Sequence, residues 1–234
     1  MRLIALSAGL LLSLLLAGCA SVRSPWADSM VSLVSTGGTG VSKDAIPLMP
    51  DLRYRYLRLE LQGHPPALLV LGYVEPDPQG EVSVWYTGNQ EVLRMQNGRV
   101  VAVTGTAQDW QRSRFTPNPP IWTAVPAQGL DYVRERDELQ GYRFGHTEQV
   151  HLAQWSGLPP IALASGLPVA KAAEYRWFRE SVASAPGDGA PALPDAWFAW
   201  GVHRGAATIV YSEQCLSPDF CVKLQPWPLL EEAK

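Results

Sequence analysis

Two pairs of acidic residues are the candidates for catalysis, Glu135 with Asp137 and Glu148 with Glu174. Two carboxyl groups can serve as the acid and the base of glycoside hydrolysis. The signs alternate along residues 134–137, Arg-Glu-Arg-Asp, and this pattern is typical of a solvated strand with cross-strand ion pairs. The nucleophile motifs GxSxG, SxxK and HExxH do not occur. We therefore expect no catalytic residues and no enzyme activity, with a carboxylate-pair enzyme as the alternative.

The histidines do not have the spacing of a metal site. The chain has four of them, His64, His146, His151 and His203. His146 and His151 lie five residues apart on one predicted strand, and an odd offset sends two side chains to opposite faces of a sheet. The glycine-rich run 37–40 lacks the Lys-Ser/Thr pair of a phosphate-binding loop. We expect neither a metal nor a cofactor.

An uncharged, leucine-rich segment follows Arg2 and extends from Leu3 to Val22. Within it, residues 16–19, Leu-Ala-Gly-Cys, resemble the lipobox of bacterial lipoproteins, in which the signal peptidase cuts before a cysteine that carries diacylglycerol. We expect residues 1–18 to be a lipoprotein signal peptide and Cys19 to be the lipidated residue. An ordinary secretory peptide or a membrane helix with an incidental cysteine is the alternative.

Acyl chains on Cys19 would anchor the mature protein. Each buried methylene contributes about 0.8 kcal/mol, so two or more chains hold a protein stably on a membrane. Ala20 follows the cysteine, and the absence of aspartate there resembles lipoproteins exported to the outer membrane. We expect a lipid-anchored protein on the periplasmic face of the outer membrane, with residues 19–25 as a short tether.

The two remaining cysteines, Cys215 and Cys221, are expected to form a disulfide, because exported proteins reside where thiols oxidise. The bridge would close a short loop between two adjacent predicted strands and stabilise the fold by about 2 kcal/mol. A redox-active pair is the weaker interpretation, since catalytic pairs favour two intervening residues and this pair has five.

Composition limits the class of protein. With 47% hydrophobic and 18% charged residues, the chain should form a packed globular body rather than a disordered or coiled-coil one. The formal net charge is −3, so no strongly basic surface is available to neutralise a phosphate backbone. We expect no nucleic-acid partner.

Beyond Pro50, short runs rich in valine, tyrosine and tryptophan are divided by glycine and proline, which predicts strands. The connections are too short for helical crossovers, so the strands should be mostly antiparallel. We expect one domain over 26–234, mostly β, with a large bent sheet or a sandwich-like form and a short helix near Trp26. The predicted strands are 52–61, 67–75, 80–87, 90–96, 98–104, 130–138, 143–155, 173–183, 195–203, 206–214 and 219–225.

Three hairpin turns can be identified between these strands. Asn97-Gly98 is the clearest, because both residues tolerate the positive φ that a two-residue type I′ turn requires. Residues 87–90 and Arg204-Gly205 are the other two. The proline-rich stretch 116–126 could separate two subdomains, but each half would be small, and we favour one domain.

Clusters of aromatic residues, namely 85–86, 177–178 and 197–200, are the last candidates for recognition, because sugar rings can stack on tryptophan and tyrosine. Neighbouring rings on a strand point to opposite faces, so part of each cluster must belong to the core. Core packing is the favoured interpretation. The sequence does not identify an exposed ring.

Residues 52–112 carry a resemblance to a known family. The segments 68–74 (LLVLGYV), 84–86 (VWY) and 91–101 (EVLRMQNGRVV), together with Asp109-Trp110, resemble the YjbF/GfcB family of capsule and exopolysaccharide lipoproteins. Cys19 in its lipobox-like setting fits this family as well. Over 113–234 the resemblance rests on the β-rich pattern and the overall length.

This resemblance implies a mostly β fold with a large bent sheet and a role in making or exporting a surface polysaccharide. It also implies two partners, an outer-membrane β-barrel protein and a small periplasmic β-grasp protein. The polysaccharide itself is a further candidate partner. No catalytic residues come with the family. Two alternatives stay open, a periplasmic glycan-processing enzyme and a structural lipoprotein that assembles an outer-membrane complex without touching sugar.

Overall fold

The structure is a computed structural model that describes residues 53–88, 90–183 and 192–228. The predicted signal peptide, Cys19, the tether and the predicted helix near Trp26 lie outside these residues. The described part has two α-helices, α1 Pro160–Ala164 and α2 Val169–Glu174. Neither these nor any other described segment forms a helix of the length and apolar character needed to cross a membrane.

Twelve antiparallel strands form a single sheet, as expected from the alternating pattern and the short connections. Each strand pairs with its neighbours in the chain, and β1 also pairs with β12, which closes the sheet on itself. The strands are β1 Tyr56–Leu61, β2 Ala67–Glu75, β3 Val82–Tyr86, β4 Val92–Gln96, β5 Arg99–Thr104, β6 Trp110–Thr116, β7 Leu130–Glu138, β8 Arg143–Trp155, β9 Arg176–Ala183, β10 Ala196–His203, β11 Ala206–Ser217 and β12 Phe220–Trp227.

The first strand shows how the sequence fixes the two faces of this sheet. Along β1, Leu57, Leu59 and Leu61 are buried in the interior, and the residues between them are only partly buried. Period-two alternation of this kind places one set of side chains in the core and the other toward solvent or a second layer. The same alternation orients the strands that carry the charged residues described below.

Two predicted hairpin turns have the expected geometry. Asn97 and Gly98 join β4 to β5 with φ of 50° and 82°, and Arg204 and Gly205 join β10 to β11 with φ of 49° and 75°. Positive φ at both central residues is what a type I′ turn requires. The third predicted turn joins β3 to β4 through a longer loop, of which Asn89 lies outside the described residues.

The structure adds elements that were not predicted. Strand β6, Trp110–Thr116, falls in a segment without a predicted strand, and α1 and α2 precede β9, which begins at Arg176 rather than at residue 173. β12 extends to Trp227 and so includes Pro226. Pro226 lies opposite Leu57 of β1.

The interior is filled by side chains, and opposite parts of the closed sheet touch. The Trp110 indole Nε1–H on β6 donates to the Leu216 carbonyl on β11 at 3.1 Å. The Val100 backbone N–H on β5 donates to Gln214 on β11 at 2.9 Å. The fold therefore combines the bent sheet and the sandwich-like packing expected from the sequence.

Helices α1 and α2 form a second layer on the outside of the sheet. Trp177 on β9 is buried beneath them with Ala162 and Ala172, and its indole N–H donates to the Ala172 carbonyl at 2.8 Å. Phe178, the next residue, is buried in the interior. The alternation predicted for residues 177–178 is therefore confirmed, with both rings in the core.

Cys215 and Cys221 form the predicted disulfide. The two residues lie opposite each other on β11 and β12, next to the turn that joins these strands. The bridge thus fastens a hairpin whose other residues already pair through the sheet.

Candidate binding cleft

The first predicted carboxylate pair lies on the outer face of β7. Glu135 forms an ion pair with Arg114, and Asp137 pairs with Arg112 at 3.2 Å, both across to β6. The Gly145 backbone N–H donates to Asp137, and this hydrogen bond, with help from Arg112, lowers the pKa of Asp137. These contacts are the cross-strand ion pairs predicted for this segment.

The structure does not bring the second pair together. Glu148 is buried inside the sheet, whereas Glu174 is exposed on α2 and pairs with Lys171 at 2.9 Å. A general acid in glycoside hydrolysis needs a raised pKa. Burial alone would raise the pKa of Glu148, but the guanidinium groups of Arg134 and Arg136 outweigh burial and hold that pKa below its usual range.

The interpretation of residues 134–137 as entirely solvated is therefore wrong for the two arginines. Arg134 and Arg136 point into the interior, with 8% and 2% of their surface exposed. Arg136 grips Glu148 with two hydrogen bonds, Nε to Oε2 at 2.9 Å and Nη2 to Oε1 at 2.7 Å, and Arg134 Nε adds a third at 2.7 Å. The alternation of charge was predicted correctly, but the inward face of β7 carries the cations.

A second buried ion pair joins Arg99 on β5 to Glu180 on β9. Arg99 Nε donates to Glu180 at 2.7 Å, and the guanidinium stacks 4.1 Å from the centroid of the Trp122 ring. Burial and the nearby Glu180 raise the pKa of Tyr132 beyond the range in which tyrosines usually titrate. These groups are enclosed and mutually neutralised, so they hold the two sides of the sheet together rather than offer a surface to a ligand.

The histidines are placed as the strand register predicts. His146 and His151 lie on opposite faces of β8, His146 near Glu148 and His151 with its Nδ1 2.7 Å from Asp131. Over 53–88, 90–183 and 192–228, no group of three or more histidine, cysteine or acidic residues could hold a metal ion.

The aromatic clusters divide between core and surface. Trp85 is buried and Tyr86 is exposed, while Phe198 is buried and its neighbour Trp197 packs edge-on against Trp155, with ring centroids 5.0 Å apart. Each pair of neighbouring rings therefore faces opposite sides of the sheet, as predicted. In the pair 85–86 the structure identifies Tyr86 as the exposed ring, whereas both rings of the pair 177–178 are buried.

A cleft of about 450 Å³ opens at one end of the closed sheet. The start of β1, the turn between β10 and β11, and the end of β12 surround it, and β3 contributes part of its wall. Its aromatic and basic lining residues are Arg55, Tyr56, Trp85, His203, Arg204 and Trp227. The volume lies in the usual range for small-molecule sites, about 300–1,000 Å³.

The inner wall of the cleft is held in place by hydrogen bonds and close packing. The Trp85 indole N–H donates to Ser83 Oγ at 2.9 Å, and Ser83 donates to the Met95 carbonyl at 3.2 Å. Gly98 of the β4–β5 turn approaches Ile209 so closely that an added Cβ would lie 2.5 Å from its side chain. Contacts of this kind restrict the side chains of the wall before a ligand binds, which lowers the entropic cost of binding.

The charged side chains that line the cleft are all basic. No aspartate or glutamate is found among its described lining residues, while Arg55 and Arg204 both line it. Neither guanidinium group has a hydrogen bond or ion pair with the described residues. The other arginines there have partners: Arg53, Arg58, Arg94, Arg99, Arg112, Arg114, Arg134, Arg136, Arg143, Arg176 and Arg179.

Trp227 adds a further group without a partner. Its indole Nε1 is buried and finds no acceptor in the part of the chain that the structure describes. An indole N–H is a donor only, and when buried it usually finds a partner. Because this atom is closed off from solvent, it is not available to a ligand. The cleft therefore offers two cations with no carboxylate among its described lining residues, an arrangement suited to noncovalent binding of an anion.

The sequence signals for this cleft are weak. Arg204 belongs to a predicted turn, but Arg55, Tyr56 and Trp227 stand at the ends of strands that are far apart in the chain. Only the closure of β1 against β12, which sets Tyr56 opposite Trp227, brings them together. No local sequence motif predicts the pairing of β1 with β12.

The fold is shared with a solved structure. The chain is similar to the crystal structure of the hypothetical lipoprotein YmcC from Escherichia coli K12, with a TM-score of 0.56 and 18% sequence identity. The match covers 92% of this chain and 100% of that chain. No protein-family model matches the sequence. No curated protein matches it either. At this identity the likeness concerns the fold alone.

Proposed function

We propose that this protein is a non-catalytic lipoprotein of the outer membrane, facing the periplasm, that supports the secretion or assembly of an exopolysaccharide or capsule. It does so by binding partner proteins and the glycan itself. The anchor is the lipidated Cys19, and the expected partners are an outer-membrane β-barrel protein and periplasmic proteins of the export system.

The cleft is the observation that carries this proposal. A glycan chain presents oxygens that accept hydrogen bonds. Arg55 and Arg204, whose guanidinium groups have no partner among the described residues, offer donors at one end of the sheet. The likeness in fold to a protein described as a hypothetical lipoprotein supports the lipoprotein part of the proposal.

The placement of the acidic residues supports a binding role over catalysis. Asp137 and Glu148 both have lowered pKa values, because hydrogen bonds and guanidinium groups stabilise their charged forms. Neither carboxyl group is therefore suited to donate a proton near neutral pH. Neither residue lines the cleft.

Deletion and complementation in the native host test the proposal. The deletion strain should lose most of its extracellular polysaccharide, because the export system would lack a component. The intact gene should restore it, whereas Cys19→Ala should restore little, since the protein would lose its anchor. Normal polysaccharide in the deletion strain would overturn the proposal.

A purified-protein assay separates the binding role from catalysis. Incubation with envelope glycans should release no new reducing ends, and cleavage that depends on Glu135 or Glu148 would favour the enzyme alternative. Crosslinking to an outer-membrane barrel protein without measurable oligosaccharide binding would instead favour a purely structural lipoprotein.

A further inference from the structure

We infer that the cleft is a site for an acidic oligosaccharide, in which sugar carboxylates pair with Arg55 and Arg204. The inference rests on the proposed function and narrows it to a class of glycan. Two of the lining residues thus have assigned contacts with the ligand.

The arginines provide the charge selectivity. A guanidinium binds a carboxylate through two parallel hydrogen bonds, which makes arginine well suited to recognise this group. Other described arginines that form ion pairs, such as Arg112 and Arg114, do so with carboxylates of the protein itself. Arg55 and Arg204 lack such a partner within the described ranges, so a ligand can supply it without breaking an existing ion pair.

Tyr56 and Trp227 lie directly opposite each other on β1 and β12, and both are only partly buried. Because Leu57 faces the interior, the alternation along β1 turns Tyr56, and with it Trp227, to the outer face of the sheet. There the Arg58 guanidinium lies 5.5 Å from the centroid of the Trp227 ring. These two rings are therefore not counted as ligand contacts, and the two arginines carry the recognition.

The overall charge argues against a merely nonspecific attraction. The protein carries a formal net charge of −3, so its average field repels a polyanion. Binding of an acidic glycan must then come from a local cluster of cations. The cleft holds two arginines without a partner among the described residues, and no carboxylate is found in its described lining.

The test compares two ligands that differ only in charge. The probes are an alginate tetrasaccharide, in which every unit carries a carboxylate, and the same tetrasaccharide with its carboxyls reduced to hydroxymethyl groups. Calorimetric titration of the full-length lipoprotein in detergent should show at least about tenfold weaker binding of the reduced probe, a difference of about 1.4 kcal/mol. Added salt should weaken binding of the acidic probe only.

Two variants locate the interaction. Arg55→Gln with Arg204→Asn removes both cations, and asparagine suits the positive φ of residue 204 before Gly205, so the turn is preserved. The matched control, Arg112→Gln with Arg114→Gln, removes the same charge from the outer face of β6. The cleft variant should bind the acidic probe about tenfold more weakly, and the control should bind it like the wild type.

The outcomes distinguish this inference from the proposed function. Equal affinity for both probes, equal losses in the two variants, or no binding of the acidic probe would overturn the acidic-glycan site. None of these results bears on the polysaccharide yield of the deletion strain. A deletion strain with normal polysaccharide would remove the proposed function even if the cleft binds acidic sugars in vitro.

Discussion

Substitution of Glu148 tests whether the buried charges stabilise the fold. Its carboxylate accepts three hydrogen bonds from two buried arginines, at 2.7, 2.9 and 2.7 Å. Glu148→Gln keeps the shape but removes the negative charge, which leaves two guanidinium groups buried with less compensation. Breaking a buried ion pair from one side costs about 3–5 kcal/mol, and we expect a loss of stability in this range.

Urea denaturation followed by tryptophan fluorescence measures this change. Glu135→Gln is the matched control, because Glu135 makes the same type of ion pair on the outer face of the neighbouring strand β7. Exposed ion pairs contribute about 0–1 kcal/mol, so the control should unfold close to the wild type. If Glu148→Gln costs no more than the control, the interior network does not stabilise the fold as argued.

The pH dependence of stability provides a second test of the same carboxylate. The folded-state pKa of Glu148 lies below its unfolded value, so the unfolded state binds more protons at acidic pH. The contribution of Glu148 is therefore complete above the unfolded pKa and is lost as the pH falls through the folded pKa. The wild type should lose stability in acid more steeply than Glu148→Gln, and parallel pH profiles would contradict this assignment.

Three further predictions concern backbone geometry, the disulfide and the anchor. Gly98→Ala should lower stability by about 2 kcal/mol or more in thermal unfolding, because the new methyl group meets packed atoms, whereas Gly205→Ala, at a similar φ in open space, should cost about 1 kcal/mol. Replacing Cys215 and Cys221 by serine should cost about 2 kcal/mol in urea denaturation, and an unchanged midpoint would count against a stabilising bridge. Mass spectrometry should find a mature chain that begins at Cys19 with fatty acids attached; a different N-terminus without lipid would refute the anchor.

Most strands could be predicted from the sequence because their side chains alternate and glycine-containing turns separate them. The Asn97-Gly98 turn shows this best, since its residue types specify both the turn and the strand pairing around it. Strand β6 was missed because polar and charged residues occupy most of it and only Trp110, Ser113 and Phe115 point inward. The short helices were missed because five or six residues carry too little periodic pattern.

The charged interior could not be predicted for a different reason. Residues 134–137 alternate in sign, so the pattern is the same whichever face is buried, and a buried arginine is rare enough that solvent exposure is the natural expectation. The pairing of β7 with β8 determines which face is buried, because it places Glu148 opposite Arg134. The cleft has the same origin, because its residues meet only when β1 closes against β12.

The central claim is that the cleft serves polysaccharide secretion. The most direct test is the extracellular polysaccharide produced per cell by the deletion strain when it carries the wild type, Arg55→Gln with Arg204→Asn, or Arg112→Gln with Arg114→Gln at equal protein levels. The wild type and the outer-face variant should restore polysaccharide, and the cleft variant should not. Full restoration by the cleft variant would contradict the account.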